Sequence, residues 1–178
     1  MTTTVRPARL ADAEALPSIE RSAAELFRQV PELAWLADEP VPDAAQHAHN
    51  IACAAVWVAM ADEDTVAGFL SAEIFDHELH IQELSVSRRF QGLGLGRQLL
   101  QAALASACHS GLAAMTLTTF RELPWNEAFY QRFGFETLAA EQIGPRLTAV
   151  LHDEATHGLP PSRRCAMRYV IRPAIMPG

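Results

Sequence analysis

Apolar and polar positions recur along this chain in two rhythms, one helical and one alternating. Leu16, Ile19, Ala23, Leu26 and Phe27 repeat at helical spacing behind Asp12 and Glu14, which predicts a first helix opening near Asp12. Pro31-Glu32-Leu33-Ala34-Trp35-Leu36 breaks that rhythm, and Pro40-Val41-Pro42-Asp43 restarts it with a helix through about Ala54. Strand-like runs cover Thr3 to Pro7, Val56 to Met60 and Thr65 to Phe75, the last two joined by Ala61-Asp62-Glu63-Asp64, whose acidic, polar make-up suits a hairpin turn. A turn around Asp76-His77 leads to a strand-like run from Leu79 to Ser87, and a helix-like run from Gly94 to His109 stops at Ser110-Gly111. Ala113 to Thr119 reads as a strand, Asn126 to Phe133 as a short helix with Asn126 suited to its N-cap, and Phe135 to Ala139 as a strand. Gly144-Pro145-Arg146-Leu147 opens an extra helix reaching about Ala155, with proline in its first turn, before a last strand from Cys165 to Ile171. The layout is one α/β domain with a mixed sheet.

Composition narrows the class. The 178 residues suit one domain, and an apolar fraction of 49% argues for a folded globule. Met1-Thr2-Thr3-Thr4-Val5-Arg6 has no apolar stretch behind a basic cluster and no window approaches a membrane span, so the expectation is a soluble cytoplasmic protein with no membrane partner. Cys53, Cys108 and Cys165 are far apart and lie in apolar or alanine-rich contexts, which predicts buried reduced thiols and no metal site. A net charge of −7 argues against nucleic acid as the partner and favours a cationic acceptor through long-range steering.

The candidate chemistry centres on Gln91-Gly92-Leu93-Gly94-Leu95-Gly96-Arg97, placed where strand turns into helix. Three alternate glycines let N–H groups point at one anion, and the helix N-terminus adds partial positive charge, so the element is built for phosphate. A nucleoside-triphosphate loop needs Lys and then Ser or Thr after the glycines, yet Arg97 and Gln98 stand there and the chain has no lysine. A dinucleotide fingerprint needs an acidic residue about 20 positions on, and no Asp or Glu lies between Arg97 and Arg121.

Gln-x-x-Gly-x-Gly, with Glu83-Leu84-Ser85-Val86 before it and Arg97-Gln98-Leu99-Leu100 after it, resembles the pyrophosphate loop of the GCN5-related N-acetyltransferases, the GNAT superfamily. Leu117-Thr118-Thr119 followed by Asn126-Glu127-Ala128-Phe129-Tyr130-Gln131-Arg132-Phe133-Gly134-Phe135 resembles that family's second signature, and the likeness covers about residues 56–139. The resemblance implies a GNAT fold, with a mixed, mostly antiparallel central sheet flanked by helices and filling residues 1–178. It also implies acetyl-CoA as co-substrate and direct acetyl transfer to a primary amine of a small molecule. A non-catalytic acyl-CoA sensor of the same fold, or a protein N-terminal or side-chain acetyltransferase, is the alternative, and a homodimer stays open.

By the same resemblance Leu84, Ser85 and Val86 present main chain to the pantetheine arm, and Gln91, Gly92, Leu93, Gly94, Leu95, Gly96 and Arg97 hold the pyrophosphate. Asn126 meets the pantetheine arm, the Val86 N–H faces the developing oxyanion, and Tyr130 stands by the leaving thiolate. Glu83 stands where the family often has a carboxylate that deprotonates the amine directly or through water, with His80 on the same strand as a second candidate whose ordinary pKa near 6.5 suits the task. The acceptor pocket falls to the variable segments, where Trp35, Arg121 and Trp125 are the notable side chains and Phe27 reads as core.

Overall fold

The structure, a computed structural model, describes residues 3–172. Its backbone packs as two compact units, the first running up to Glu73 and again from Ile81 to Ser106, the second from Ile74 to His80 and from Ala107 onward. The strands are β1 (Thr4–Pro7), β2 (Ala55–Met60), β3 (Val66–Phe75), β4 (Glu78–Val86), β5 (Ala114–Phe120), β6 (Glu136–Thr137) and β7 (Arg164–Val170). They form a seven-stranded sheet in the order β1-β2-β3-β4-β5-β7-β6, mixed and mostly antiparallel, with a parallel β4–β5 pair. Helices are α1 (Leu16–Ala24), α2 (Ala44–Cys53), α3 (Leu95–His109), α4 (Glu127–Phe133) and α5 (Pro145–Thr156).

In the first unit, β1 pairs with β2 and β2 with β3, all antiparallel. The alternating faces of β2 and β3 meet the apolar stripe of α1, so that Leu16, Ile19, Val58, Met60 and Phe69 form a closed core. α2 starts where Asp43 caps it: the Gln46 N–H donates to Asp43 Oδ1 at 2.9 Å and the Asp43 N–H donates to Gln46 Oε1 at 3.0 Å. The hairpin turn also forms as expected, because Asp62 Oδ1 accepts from the N–H groups of Asp64 and Thr65 at 3.0 and 2.8 Å.

The first helix departs from expectation. Asp12 does not open α1; its carboxylate binds the Arg6 guanidinium through two bonds of 2.7 and 2.9 Å and accepts the Arg9 N–H at 2.6 Å, which fixes a separate 3-10 turn at Leu10–Glu14. α1 then begins at Leu16 with Pro17 in its first turn and passes into 3-10 turns at Glu25–Gln29 and Pro31–Asp38, so the proline segment expected to break the rhythm is itself helical.

In the second unit, β5 pairs antiparallel with β7 along its whole length, and β6 pairs with β7 at Glu136↔Arg168 and Thr137↔Met167. The strand expected from Phe135 to Ala139 is cut to two residues. The Ala139 N–H turns away to Gln142 Oε1 at 2.8 Å and starts a 3-10 turn. α5 closes on the sheet through Leu138, Leu147 and Ala166. The cysteine expectation holds only for Cys165; Cys53 and Cys108 are exposed, since each sits toward the end of a helix whose apolar stripe excludes it.

Candidate active site

β4 runs into the glycine loop, and its last residues carry the candidate chemistry of the first unit. β3 is bulged, since Ala59 pairs with Gly68 and Met60 with Val66, leaving Ala67 as the extra residue. Ala67 accepts the Ser87 N–H at 2.9 Å, and Gly68 is so close to β4 that a Cβ there would meet the Ser85 carbonyl oxygen at 2.8 Å. Ser85 is buried and donates its hydroxyl to Glu83 Oε1 at 2.6 Å, which orients the half-buried Glu83 carboxylate. Leu84 and Val86 are half-buried.

The loop itself is exposed from Gly92 to Gly94, and both glycines sit at positive φ, +78° and +79°, with nothing within 4 Å of an added Cβ. Left-handed backbone of this kind turns successive N–H groups toward one side, in front of the N-terminus of α3. Gln91 points back, its Nε2 donating to the Val86 carbonyl at 3.0 Å, so it pins the loop to the strand rather than offering its amide to a phosphate. Leu93 is exposed, whereas the Leu95 side chain is fully buried and only its main chain is available to an anion. Gly96 and Arg97 stand in the first turn of α3, with Arg97 exposed. α1 braces the approach: Ser22 Oγ accepts the Arg88 N–H at 3.0 Å and lies 3.2 Å from Ser87 Oγ.

In the second unit the β4–β5 ladder covers Glu78–His80 against Ala114–Thr116. His80 is 6% exposed and shares a 3.0 Å hydrogen bond between Nδ1 and Thr116 Oγ1. Arg146 from α5 donates both to that hydroxyl, at 3.0 Å, and to Glu78, at 2.8 Å. Burial, with the Arg146 charge in support, pushes His80 down to about 4, so it is neutral at physiological pH.

Asn126 precedes α4 without capping it. Its Nδ2 instead donates to Thr119 Oγ1 on β5 at 2.9 Å, while its Oδ1 is buried and makes no hydrogen bond among the described residues. Whichever way that amide is turned, one polar end is left without a partner among the described residues. Tyr130 is 8% exposed and lies edge-on to Phe129 and Phe135, with ring centroids 5.1 and 5.6 Å away. Gly134 closes the helix at φ +123°, accepted by the Tyr130 and Gln131 carbonyls. Arg121 is tied to β7 through its Nε, which donates to the Arg164 carbonyl at 3.0 Å. Trp125 is half-buried, Trp35 is 37% exposed on the 3-10 turn Pro31–Asp38, and Phe27 is only half-buried rather than core.

Sequence reasoning missed Gly68 and Ser22, which lie against β4 and its exit, and the buried contact of Glu20 on α1 with His47 on α2. For Glu20 a signal existed: it stands four residues after Leu16, at the spacing of the apolar stripe, where a carboxylate is out of place.

β4, the glycine loop at positive φ and the N-terminus of α3 give the first unit a surface suited to an anion. Residues 20–135 match the model of the acetyltransferase (GNAT) family, and the chain belongs to that family. Solved structures agree in fold. The PaiA N-acetyltransferase of Thermoplasma acidophilum in complex with coenzyme A is 14% identical, with 96% of this chain and 100% of that one covered at a TM-score of 0.71. The ribosomal-protein-S18-alanine N-acetyltransferase of Escherichia coli is 17% identical over 99% and 97%, at 0.67. A Mycobacterium tuberculosis protein in complex with coenzyme A is 16% identical over 95% and 99%, at 0.67. Acetyl-CoA is the co-substrate of the family, and the open Gly92–Gly94 arc at the start of α3 suits its pyrophosphate. Among the described residues no group of three or more His, Cys, Asp or Glu is placed to hold a metal, and no helix is long and apolar enough to cross a membrane.

Proposed function

We propose that this chain is an acetyl-CoA-dependent N-acetyltransferase that moves the acetyl group directly to a primary amine of a small molecule. The observation that carries the reading is the Glu83 carboxylate, oriented by the Ser85 hydroxyl on the strand that enters the glycine loop. Bound acetyl-CoA would supply the acyl group as a thioester. The main chain of Leu84, Ser85 and Val86, the main-chain N–H groups from Gly92 to Arg97 and the open end of Asn126 would hold it, with Gln91 bracing the loop.

The chain's own residues then have three tasks. Glu83 removes a proton from the incoming ammonium, which frees the nitrogen lone pair for attack. The Val86 N–H donates to the oxygen on which negative charge develops. Tyr130 donates its hydroxyl to the departing sulfur, chiefly as a hydrogen bond, because a phenol near pKa 10 is a weaker acid than a thiol near 8.5. Trp35 and Trp125 offer indole faces to the cation, each worth about 0.5–2 kcal/mol, and the net charge of −7 draws it in. His80 and Arg121 are assigned to structure, since His80 Nδ1 bonds Thr116 and Arg121 Nε donates to the Arg164 carbonyl.

A thiol-release assay with acetyl-CoA and a panel of primary amines, amino acids, peptides with free N-termini, alcohols and thiols tests the proposal. Turnover on small primary amines is expected. Acetyl-CoA binding without thiol release would mark a non-catalytic acyl-CoA module, and turnover on peptides alone would mark a protein acetyltransferase. Neutral hydroxyl or thiol acceptors alone would overturn the assignment to amines.

A further inference from the structure

The 3-10 segment Pro31–Asp38 carries Trp35, and its residues sort into two stripes at the three-residue period of that helix. Leu33 is fully buried and Leu36 half-buried, whereas Glu32, Trp35 and Asp38 stand exposed along another side. Side chains three apart eclipse in a 3-10 helix, so whatever fixes Asp38 also fixes the face from which Trp35 projects. Such helices rarely exceed three or four residues, because their hydrogen bonds are poorly aligned. A run of eight residues therefore needs support from outside itself.

Arg28, on the preceding 3-10 turn Glu25–Gln29, supplies that support. Its Nη1 and Nη2 donate to Asp38 Oδ2 and Oδ1 at 3.2 and 2.8 Å, and its Nε and Nη2 donate to Glu25 Oε2 and Oε1 at 2.9 and 3.3 Å. The planar fork thus grips two carboxylates at once, one at the first residue of its own turn and one at the last residue of the next. Between the two turns the backbone is extended at Val30, with φ −117° and ψ 101°. The Val30 N–H donates to the Phe27 carbonyl at 3.0 Å, and its carbonyl accepts the Leu33 N–H at 2.9 Å. An isolated exposed ion pair contributes little to stability. Here the effect of the grip is on direction, since it ties the far end of the segment back to the turn before it.

We propose that Arg28 is a positioning residue for the amine acceptor: by holding Asp38 it sets the direction in which Trp35 presents its indole to the incoming cation. The inference rests on Trp35 as an acceptor contact. With the grip gone, the segment loses its far anchor, the indole turns to other directions, and the contact with the cation is made only part of the time. The acetyl transfer itself is untouched, because the hydrogen bonds of Arg28 go to Glu25 and Asp38.

The test is steady-state kinetics on Arg28→Gln, Asp38→Ala, Trp35→Ala and the double variant Arg28→Gln with Trp35→Ala. The acceptor is the best small primary amine of the thiol-release panel, and acetyl-CoA affinity is measured beside it. Arg28→Gln and Asp38→Ala should each raise the acceptor KM about three- to fivefold, within the worth of one indole contact, with kcat and acetyl-CoA affinity little changed. Charge alone predicts opposite signs: loss of Arg28 leaves the surroundings more negative and tightens a cation, whereas loss of Asp38 weakens it. Rises in both variants therefore report orientation, and opposite shifts overturn the proposal. In the Trp35→Ala background Arg28→Gln should leave KM where it stands, because the contact it orients is already gone. Additive effects in the double variant, or a wild-type KM in Arg28→Gln, overturn the role of Arg28 and leave the reading of an amine acceptor intact. A wild-type KM in Trp35→Ala removes Trp35 from the acceptor pocket and the proposal with it.

Discussion

Gly68→Ala is a one-methyl change on β3 with a consequence on β4. The added Cβ would sit 2.8 Å from the Ser85 carbonyl oxygen, 3.0 Å from Val86 Cγ2 and 3.3 Å from Val86 Cα. Val86 Cγ2 can rotate aside, but the carbonyl is backbone, so β4 must shift at residues 85–86 by roughly half an ångström to restore ordinary contact. Such overpacking costs about 1–3 kcal/mol, and the reduced freedom of the unfolded chain returns only about 0.4–1 kcal/mol. For a chain of this length the net loss corresponds to a fall in Tm of up to about 10 °C. The same shift moves the main chain proposed to meet acetyl-CoA, so calorimetry should show affinity lower by about tenfold or more, since misplacement on the ångström scale is that costly. Gly144→Ala is the control, because its Cβ meets nothing within 4 Å. A Gly68→Ala variant with wild-type Tm and wild-type affinity would refute the argument.

Tyr130→Phe removes only the hydroxyl and should lower kcat by about 10²-fold with little change in acetyl-CoA affinity; reduced stability at unchanged kcat would assign the ring to packing alone. Asn126→Ala should weaken acetyl-CoA binding by about 1–2 kcal/mol if its open amide end meets the cofactor, and equal dissociation constants by calorimetry would dismiss that contact. Trp35→Ala should raise the acceptor KM more than it lowers kcat, a split that steady-state kinetics in two salt concentrations can read. His80 is held neutral in the fold, with its pKa down to about 4 against 6.5 when unfolded. Its contribution is therefore present above pH 6.5 and lost as pH falls through 4. Urea unfolding of the wild type should weaken across that window by up to about 3 kcal/mol more than that of His80→Gln, and parallel curves for the two proteins would contradict it.

The glycine loop, the start of α2 at Asp43 and the Asp62 turn were legible in the sequence because each is a local device, complete within a few residues and dictated by backbone conformation. The apolar rhythms of β2, β3 and α3 were legible for the same reason, since periodicity needs only neighbours along the chain. Tertiary structure decided what depended on distant partners. Asp12 read as a helix opener until Arg6 claimed its carboxylate, and Asn126 read as a cap until Thr119 drew its amide away. The strand after Gly134 lost most of its length when Gln142 captured the Ala139 N–H. Gly68 had no local explanation, and Glu20 stood out only as a carboxylate on an apolar stripe, because a glycine required by a neighbouring strand and a buried carboxyl facing a buried imidazole are properties of what folds against them. Local backbone geometry is written in adjacent residues, whereas desolvation, close approach and the pairing of buried polar groups exist only once the chain has brought remote residues together.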